Sequence, residues 1–411
     1  KSLKIDTNNK PRIFANTVSI NKKTTSFNKS ISTLCDYREN DKCPPWTIQS
    51  SKMLHDAQKK TIYYDNALLR VYNVPIFYFP KLSHPDPTVD RRSGFLPPNF
   101  SNSRNLGSSI SIPYFWALND DKNLTLNSRL LSSEHPLFTA EYHQVFKNSS
   151  LMADFGYTKG YKKTTAKKKS GDKSHFFSKF VKNFDNLIEG QSSLILNLQQ
   201  VTGDKYLKLY KVNSELVEDT TEILENSLEY TYLNDDLFFG FNSSVFETLN
   251  ENYNDKYEFI LPEITLNKNI ISDEKYGLVD LQTNYKIHNY DTNKLTNFLV
   301  NDLNWSSNKF YHATGFTSQI FGNFKNLNYE TKNTDIYKED TTSEIHGAIG
   351  YMSQLNFRKK TPNGLHLLKP KMLMRYSPGS MRKSNEAFLF NPTLAFNMSR
   401  LSNNNNFEKG L

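Results

Sequence analysis

Few residues in this 411-residue chain have the type and spacing to do chemistry. His55 and Asp56 put an imidazole beside a carboxylate, the composition of a general-base dyad, but neighbours on a strand point to opposite faces, so they do not form one. Cys35 and Cys43 are the two cysteines. No His stands at finger spacing to complete a zinc site; two thiols fit a disulfide in an oxidising compartment, with two reduced thiols as the alternative. The basic run from Lys159 to Lys173 could bind phosphates, although such runs are more often solvated loops. Arg91 and Arg92 suit a structural role, orienting the segment they sit in, better than a phosphate site. There is no nucleophile–base motif, no metal-ligand spacing and no glycine loop to cradle phosphate, so neither an enzyme nor a cofactor is expected.

Composition points to the elements that must carry these residues. Phe (29) and Tyr (23) are abundant while mean hydropathy is −0.64, which suits strands with one face to an apolar phase and one to water. No stretch approaches the ~18 apolar residues of a transmembrane helix. The formal charge of +9 admits nucleic acid or an anionic membrane, but the basic residues are spread along the chain rather than gathered on one module, which argues against nucleic acid.

Residues 1–80 hold a faint repeat: IFANTVSI (13–20) followed by KKTT is echoed by IQSSKMLH (48–55) followed by KKTI. Each unit reads as strand, polar turn, strand, either as stacked rungs or as two similar hairpins. Prolines then punctuate 74–106, so this tract is no helix and no central strand; the first domain ends at residue 80 and a connector occupies 81–106. From 107 onward period-two alternation dominates. Leu124, Leu126 and Leu130 oppose Thr125, Asn127 and Arg129; Phe155 and Tyr157 oppose Asp154 and Gly156; Val279 and Leu281 oppose Asp280 and Gln282, with Lys286 on the latter face; Ile345 and Ile349 oppose His346 and Ala348. The runs approach the ~9–11 residues of a tilted membrane strand, and the charged face suits a wet lumen. Residues 107–411 leave room for about fifteen strands. The expected fold is all-β, a transmembrane barrel behind a smaller β-domain.

An ordered series of motifs identifies a family. NVPIFYFP (73–80), SHPDP (83–87), RRSGFLP (91–97) and SIPYFW (111–116) resemble the LPS-assembly protein LptD family, also called organic solvent tolerance proteins. CPPW (43–46), SHFFS (174–178), RYS (375–377) and EKG (408–410) continue the match. The resemblance implies the end of a periplasmic β-jellyroll joined to a large antiparallel outer-membrane barrel that inserts lipopolysaccharide into the outer leaflet. It also implies an LptE-type lipoprotein plug, an LptA-type periplasmic bridge protein and outer-membrane lipid as partners. Family members are longer, so the chain is expected to be trimmed at both ends and its barrel to lack the closing strands.

The same resemblance assigns site residues. Ile48 and Ile62 would line a groove for acyl chains, although an ordinary packed core explains them nearly as well. Pro113, inside the expected first barrel strand from 109 to 118, would weaken a seam for lateral release; a tolerated proline at a strand start or bulge is the alternative. The family often has a second proline, where this chain has Ser128. Cys35 matches a position that the family bonds to the C-terminal part of the chain; Cys43 offers a local partner, and a Cys35–Cys43 staple is favoured over pairing with cysteines elsewhere. Counting strands from a periplasmic N-terminus places the Lys159 loop on the periplasmic side, which one additional strand reverses. A passive porin or receptor barrel is the competing function.

Overall fold

The computed structural model describes residues 12–33, 45–86, 88–89, 91–162, 164, 171–184, 189–250, 255–291, 293–334, 337, 339–362, 364–376 and 378. Two units emerge, one reaching Phe95 and including Phe115–Ala117, the other comprising Leu96–Tyr114 and everything from Leu118 onward.

The first unit is a five-stranded antiparallel sheet in sequential order: β1 (Arg12–Ile20), β2 (Thr24–Thr33), β3 (Trp46–Asp56), β4 (Thr61–Val71) and β5 (Val74–Pro85). The repeat is two consecutive hairpins, β1–β2 and β3–β4, set side by side in one sheet rather than as stacked rungs. Strand β5 runs beyond residue 80 and carries Pro75, Pro80 and Pro85. The first part of the proline tract is therefore a strand. It lies at the edge of the sheet, paired with β4, where a missing N–H is tolerated. Lys29 and Asn66 adopt positive φ (50° and 52°), and the ladder skips Lys29, Ser51 and Asn66 in three adjacent strands. Asn66 Nδ2 donates to Ser51 Oγ at 3.1 Å across this row. Irregularities of this kind bend the strands locally and increase their twist.

The second unit is built from long antiparallel strands joined by turns. The short β6 (Gly94–Phe95) ends the first unit; in the second, β7 (Asn99–Ser103) is followed by β8 (Gly107–Asn119), β9 (Lys122–Leu131), β10 (Leu137–Val145), β11 (Ser149–Thr158), β12 (Lys173–Phe184) and β13 (Gln191–Val201). A short helix α1 (Tyr206–Tyr210) precedes β14 (Ile223–Leu233), β15 (Leu237–Thr248), β16 (Tyr257–Asp273), β17 (Gly277–Tyr290) and β18 (Lys294–Ser306). The last are β19 (Phe310–Tyr311), β20 (Phe316–Lys332), β21 (Thr342–Leu355), the separate hairpin β22 (Phe357–Thr361) with β23 (Gly364–Leu368), and β24 (Lys371–Tyr376). The sheet order returns to its start as a closed barrel. The barrel expected from the sequence lacks its closing strands, whereas here the sheet closes; closure among the described residues removes the row of unpaired N–H and C=O groups that an open edge leaves.

Strand parity follows the sequence. Ile345 and Ile349 are 67% and 56% exposed while Ala348 between them is 8% exposed. Leu126, Leu130, Phe155 and Tyr157 also lie exposed, whereas Asp154 is buried. Inward charges find partners: Lys325 Nζ lies 2.8 Å from Asp302, and Lys286 Nζ 3.7 Å from Glu263. Apolar rows outside and paired charges inside are the pattern of a barrel whose outer face meets lipid. Among the described residues no helix is long and apolar enough to cross a membrane.

Candidate functional site

The N-terminal sheet brings the two expected groove residues together in its packed core. Ile62 is buried with Met53, Tyr64 and Ala67, and Ile48 packs against them with Ile13, Phe27 and Leu82. Hydroxyls surround this apolar floor. Ser30 and Ser50 share a hydrogen bond at 2.7 Å, and the Tyr64 hydroxyl meets His84 Nε2 at 2.9 Å, with the two rings stacked at 5.4 Å. Burial raises the Tyr64 pKa above its ordinary value, partly offset by the Ser32 hydroxyl. These side chains form a packed apolar core whose bordering hydroxyls are hydrogen-bonded.

His55 pairs not with Asp56 but with Asp86, from the SHPDP motif. Asp56 instead accepts the backbone N–H groups of Gln58 and Lys59, both at 3.0 Å, capping the β3–β4 turn. Arg92 donates to Thr61 Oγ1, and the Arg91 guanidinium sits 5.6 Å from the centre of the Phe115 ring. Both arginines thus act within the N-terminal unit. Cys35 and Cys43 lie outside the described residues, as does most of the run between Lys162 and Gly171.

Pro113 is in β8, as expected, but β8 is not the first strand of the sheet, because β6 and β7 precede it in the order. The Pro113 carbonyl accepts the N–H of Leu96 at 2.9 Å. In an antiparallel ladder the N–H and C=O of one residue point to the same neighbour. The donor that Pro113 lacks is therefore missing on the Leu96 side, not toward β9. Ser128, where the family's second proline would stand, pairs ordinarily with Phe138 in β10. Inside the barrel, Pro113 lines a cavity of ≈ 440 Å³ with Asn127, Arg129, Glu141, Asp154 and Lys211.

The sequence did not anticipate what fills this part of the lumen. The connection between β13 and β14 folds inward, and its Tyr206, Leu207, Tyr210, Val212 and Val217 are buried with Leu131, Leu137, Tyr161 and Phe177. Strand and segment are tied by polar bonds as well. Arg129 Nη1 donates to the Tyr210 carbonyl at 2.6 Å. His175 Nδ1 lies 3.0 Å from the Tyr206 hydroxyl, and its Nε2 3.4 Å from Asp154 Oδ1. Tyr161 stacks on Tyr210 with centroids 5.5 Å apart. Burial pushes the Tyr161 pKa up to about 12, helped by Glu134, and carries Tyr206 and Tyr210 higher still. Two buried tyrosines in this connection, packed on Tyr161 and on the buried His175 of β12, mark a packed element rather than a solvated loop. The available signal was the length of the connection together with YLKLY at 206–210, whose apolar residues do not alternate.

No family model matches the chain. Curated relatives do. The chain is 29% identical over 202 residues to an LPS-assembly protein LptD of Methylococcus capsulatus, covering 47% of this chain and 18% of that protein. It is 28% identical over 202 residues to the LptD of Nitrosococcus oceani, covering 49% and 25%. The LptD of Shewanella sp. strain ANA-3 is 35% identical over 101 residues, covering 24% and 13%. The matched part thus spans a quarter or less of those relatives' own length. An all-β architecture, the ordered 73–116 motifs and these alignments agree in making the chain similar to the LPS-assembly protein LptD family.

Proposed function

We propose that this chain works in the outer membrane as part of a translocon that inserts lipopolysaccharide into the outer leaflet. Acyl chains travel along the N-terminal sheet around Ile48 and Ile62, the head group passes through the polar lumen, and release is lateral, at a seam beside Pro113. The chemistry is transfer between two media and needs no covalent step. The observation that carries the reading is the Pro113–Leu96 pair: a proline removes a ladder donor from the side of β8 that faces the shortest strands of the sheet. A barrel has no weak edge by default, so a missing bond here supplies one.

The proposal also orients the barrel. Connections at one end are short, as at Asn119–Lys122, Val145–Ser149 and Leu233–Leu237; the other end carries the long ones, 158–173 and 201–223. Short turns face the periplasm and long loops the exterior in such barrels. The Lys159–Lys173 loop is then external, because β7 is the additional strand that reverses the count made from sequence. The N-terminal sheet would stand in the periplasm, where an LptA-type bridge protein could deliver substrate, and an LptE-type lipoprotein would share the lumen. An inward-folded β13–β14 segment disfavours a passive porin, whose lumen stays open. The test is photo-crosslinking in cells from positions beside Pro113 and at Ile48: adducts with lipopolysaccharide at both are expected, and adducts at neither would overturn the reading.

A further inference from the structure

The inward segment meets the barrel wall at a second place. Glu141 and His143 stand two residues apart on β10, so their side chains share its luminal face. Glu215, in the β13–β14 connection, reaches the same point: one donor atom from each of the three lies within 4.8 Å of the others. Glu141 Oε1 is 2.5 Å from His143 Nε2. Neither Glu141 nor Glu215 makes an ion pair with Lys or Arg among the described residues. Asp154, opposite Glu141 in the ladder, adds a third carboxylate nearby but is turned to His175. Two carboxylates so close repel each other unless a cation joins them, and repulsion is felt more strongly in a half-buried lumen than in bulk water.

We propose that Glu141, His143 and Glu215 form a divalent-cation site that fastens the luminal segment to the wall. One imidazole nitrogen and two carboxylates suit a borderline ion of the zinc class; magnesium or calcium prefers an all-oxygen shell. The ligands come from two segments more than seventy residues apart, so bound metal cross-links β10 to the β13–β14 connection. Metal binding then stabilises the plugged form by mass action, in proportion to how far the ion exceeds its dissociation constant.

The test uses the full chain in detergent, stripped with a chelator and titrated with Co²⁺ as a spectroscopic stand-in, then with Zn²⁺ and Mg²⁺ in competition. A visible Co²⁺ band displaced by Zn²⁺ and not by equimolar Mg²⁺ is expected, with His143→Gln and Glu215→Gln each weakening binding about tenfold or more. Glu218→Gln, an exposed change in the same connection, serves as the control and leaves affinity unchanged. Zn²⁺ also slows amide exchange in residues 205–217 of the parent and not of Glu215→Gln. Should His143→Gln fail to fold, Glu215→Gln decides alone, since that residue is exposed. Equal Co²⁺ affinity in the parent and Glu215→Gln, or Zn²⁺ binding that leaves exchange in 205–217 unchanged, would overturn the proposal. No lipopolysaccharide is present, so the outcome is independent of the transport reading.

Discussion

The guanidinium of Arg129, in strand β9, donates to the backbone carbonyl of Tyr210 at 2.6 Å and so joins the barrel wall to the segment folded into the lumen. Its other nitrogens reach Ser109 and Ser101, each at 3.3 Å, which fixes the side chain across β7, β8 and β9. Charged hydrogen bonds of this sort contribute about 1.5–3 kcal/mol. Arg129→Gln is expected to loosen the segment without unfolding the sheet. Single-channel recordings in planar bilayers should then find more frequent or longer openings than in the parent; unchanged conductance would show that the segment does not depend on this bond.

Gly156 faces His175 across the β11–β12 ladder, and a Cβ there would stand 2.2 Å from the imidazole Cε1. His175 is fully buried between Phe177 and Tyr206 and has nowhere to move. Gly156→Ala should therefore cost about 1–3 kcal/mol, as overpacking of a tight site does. The temperature at which the folded, fast-migrating band is lost on gels should fall, while Gly203→Ala, with nothing nearer than 3.8 Å, should leave it nearly unchanged.

Replacing Pro113 restores a donor facing Leu96. Pro113→Ala is expected to add one ladder hydrogen bond, about 0.5–1.5 kcal/mol, and to hold the seam shut. Cells carrying it should place less lipopolysaccharide at the surface, measured by protease-shaved or antibody-labelled surface material at matched expression. Normal surface levels with a demonstrably stabilised barrel would remove Pro113 from the release step.

The buried tyrosines give the segment a pH limit. A phenol ordinarily ionises near pH 10, whereas burial raises Tyr161 to about 12 and Tyr206 and Tyr210 beyond it. The folded form therefore holds the protons more tightly than the released one. Its contribution is complete below about pH 10 and is lost as pH rises from there through the raised values. Exchange of 205–217 should accelerate between about pH 10 and 12 in the parent. In Tyr161→Phe, part of that acceleration should disappear.

Strand parity was legible from the residues alone. Leu126 and Leu130 had to face away from Arg129, and Ile345 and Ile349 away from Ala348, because the period of a strand is two whatever it packs against. The hairpin repeat was legible for a similar reason: polar KKTT and KKTI turns between apolar runs dictate local geometry. The prolines at 75, 80 and 85 limited their strand to an edge without saying that it was a strand. Only tertiary structure decided the rest. Tyr210 meets Arg129, Glu215 meets His143 and Asp86 meets His55 across long stretches of chain, and no local pattern encodes which distant groups a closing sheet will bring face to face. Even Pro113, conspicuous in the sequence, acquired its meaning from the fold, since the side of β8 on which its donor is missing is set by the strand that Leu96 precedes.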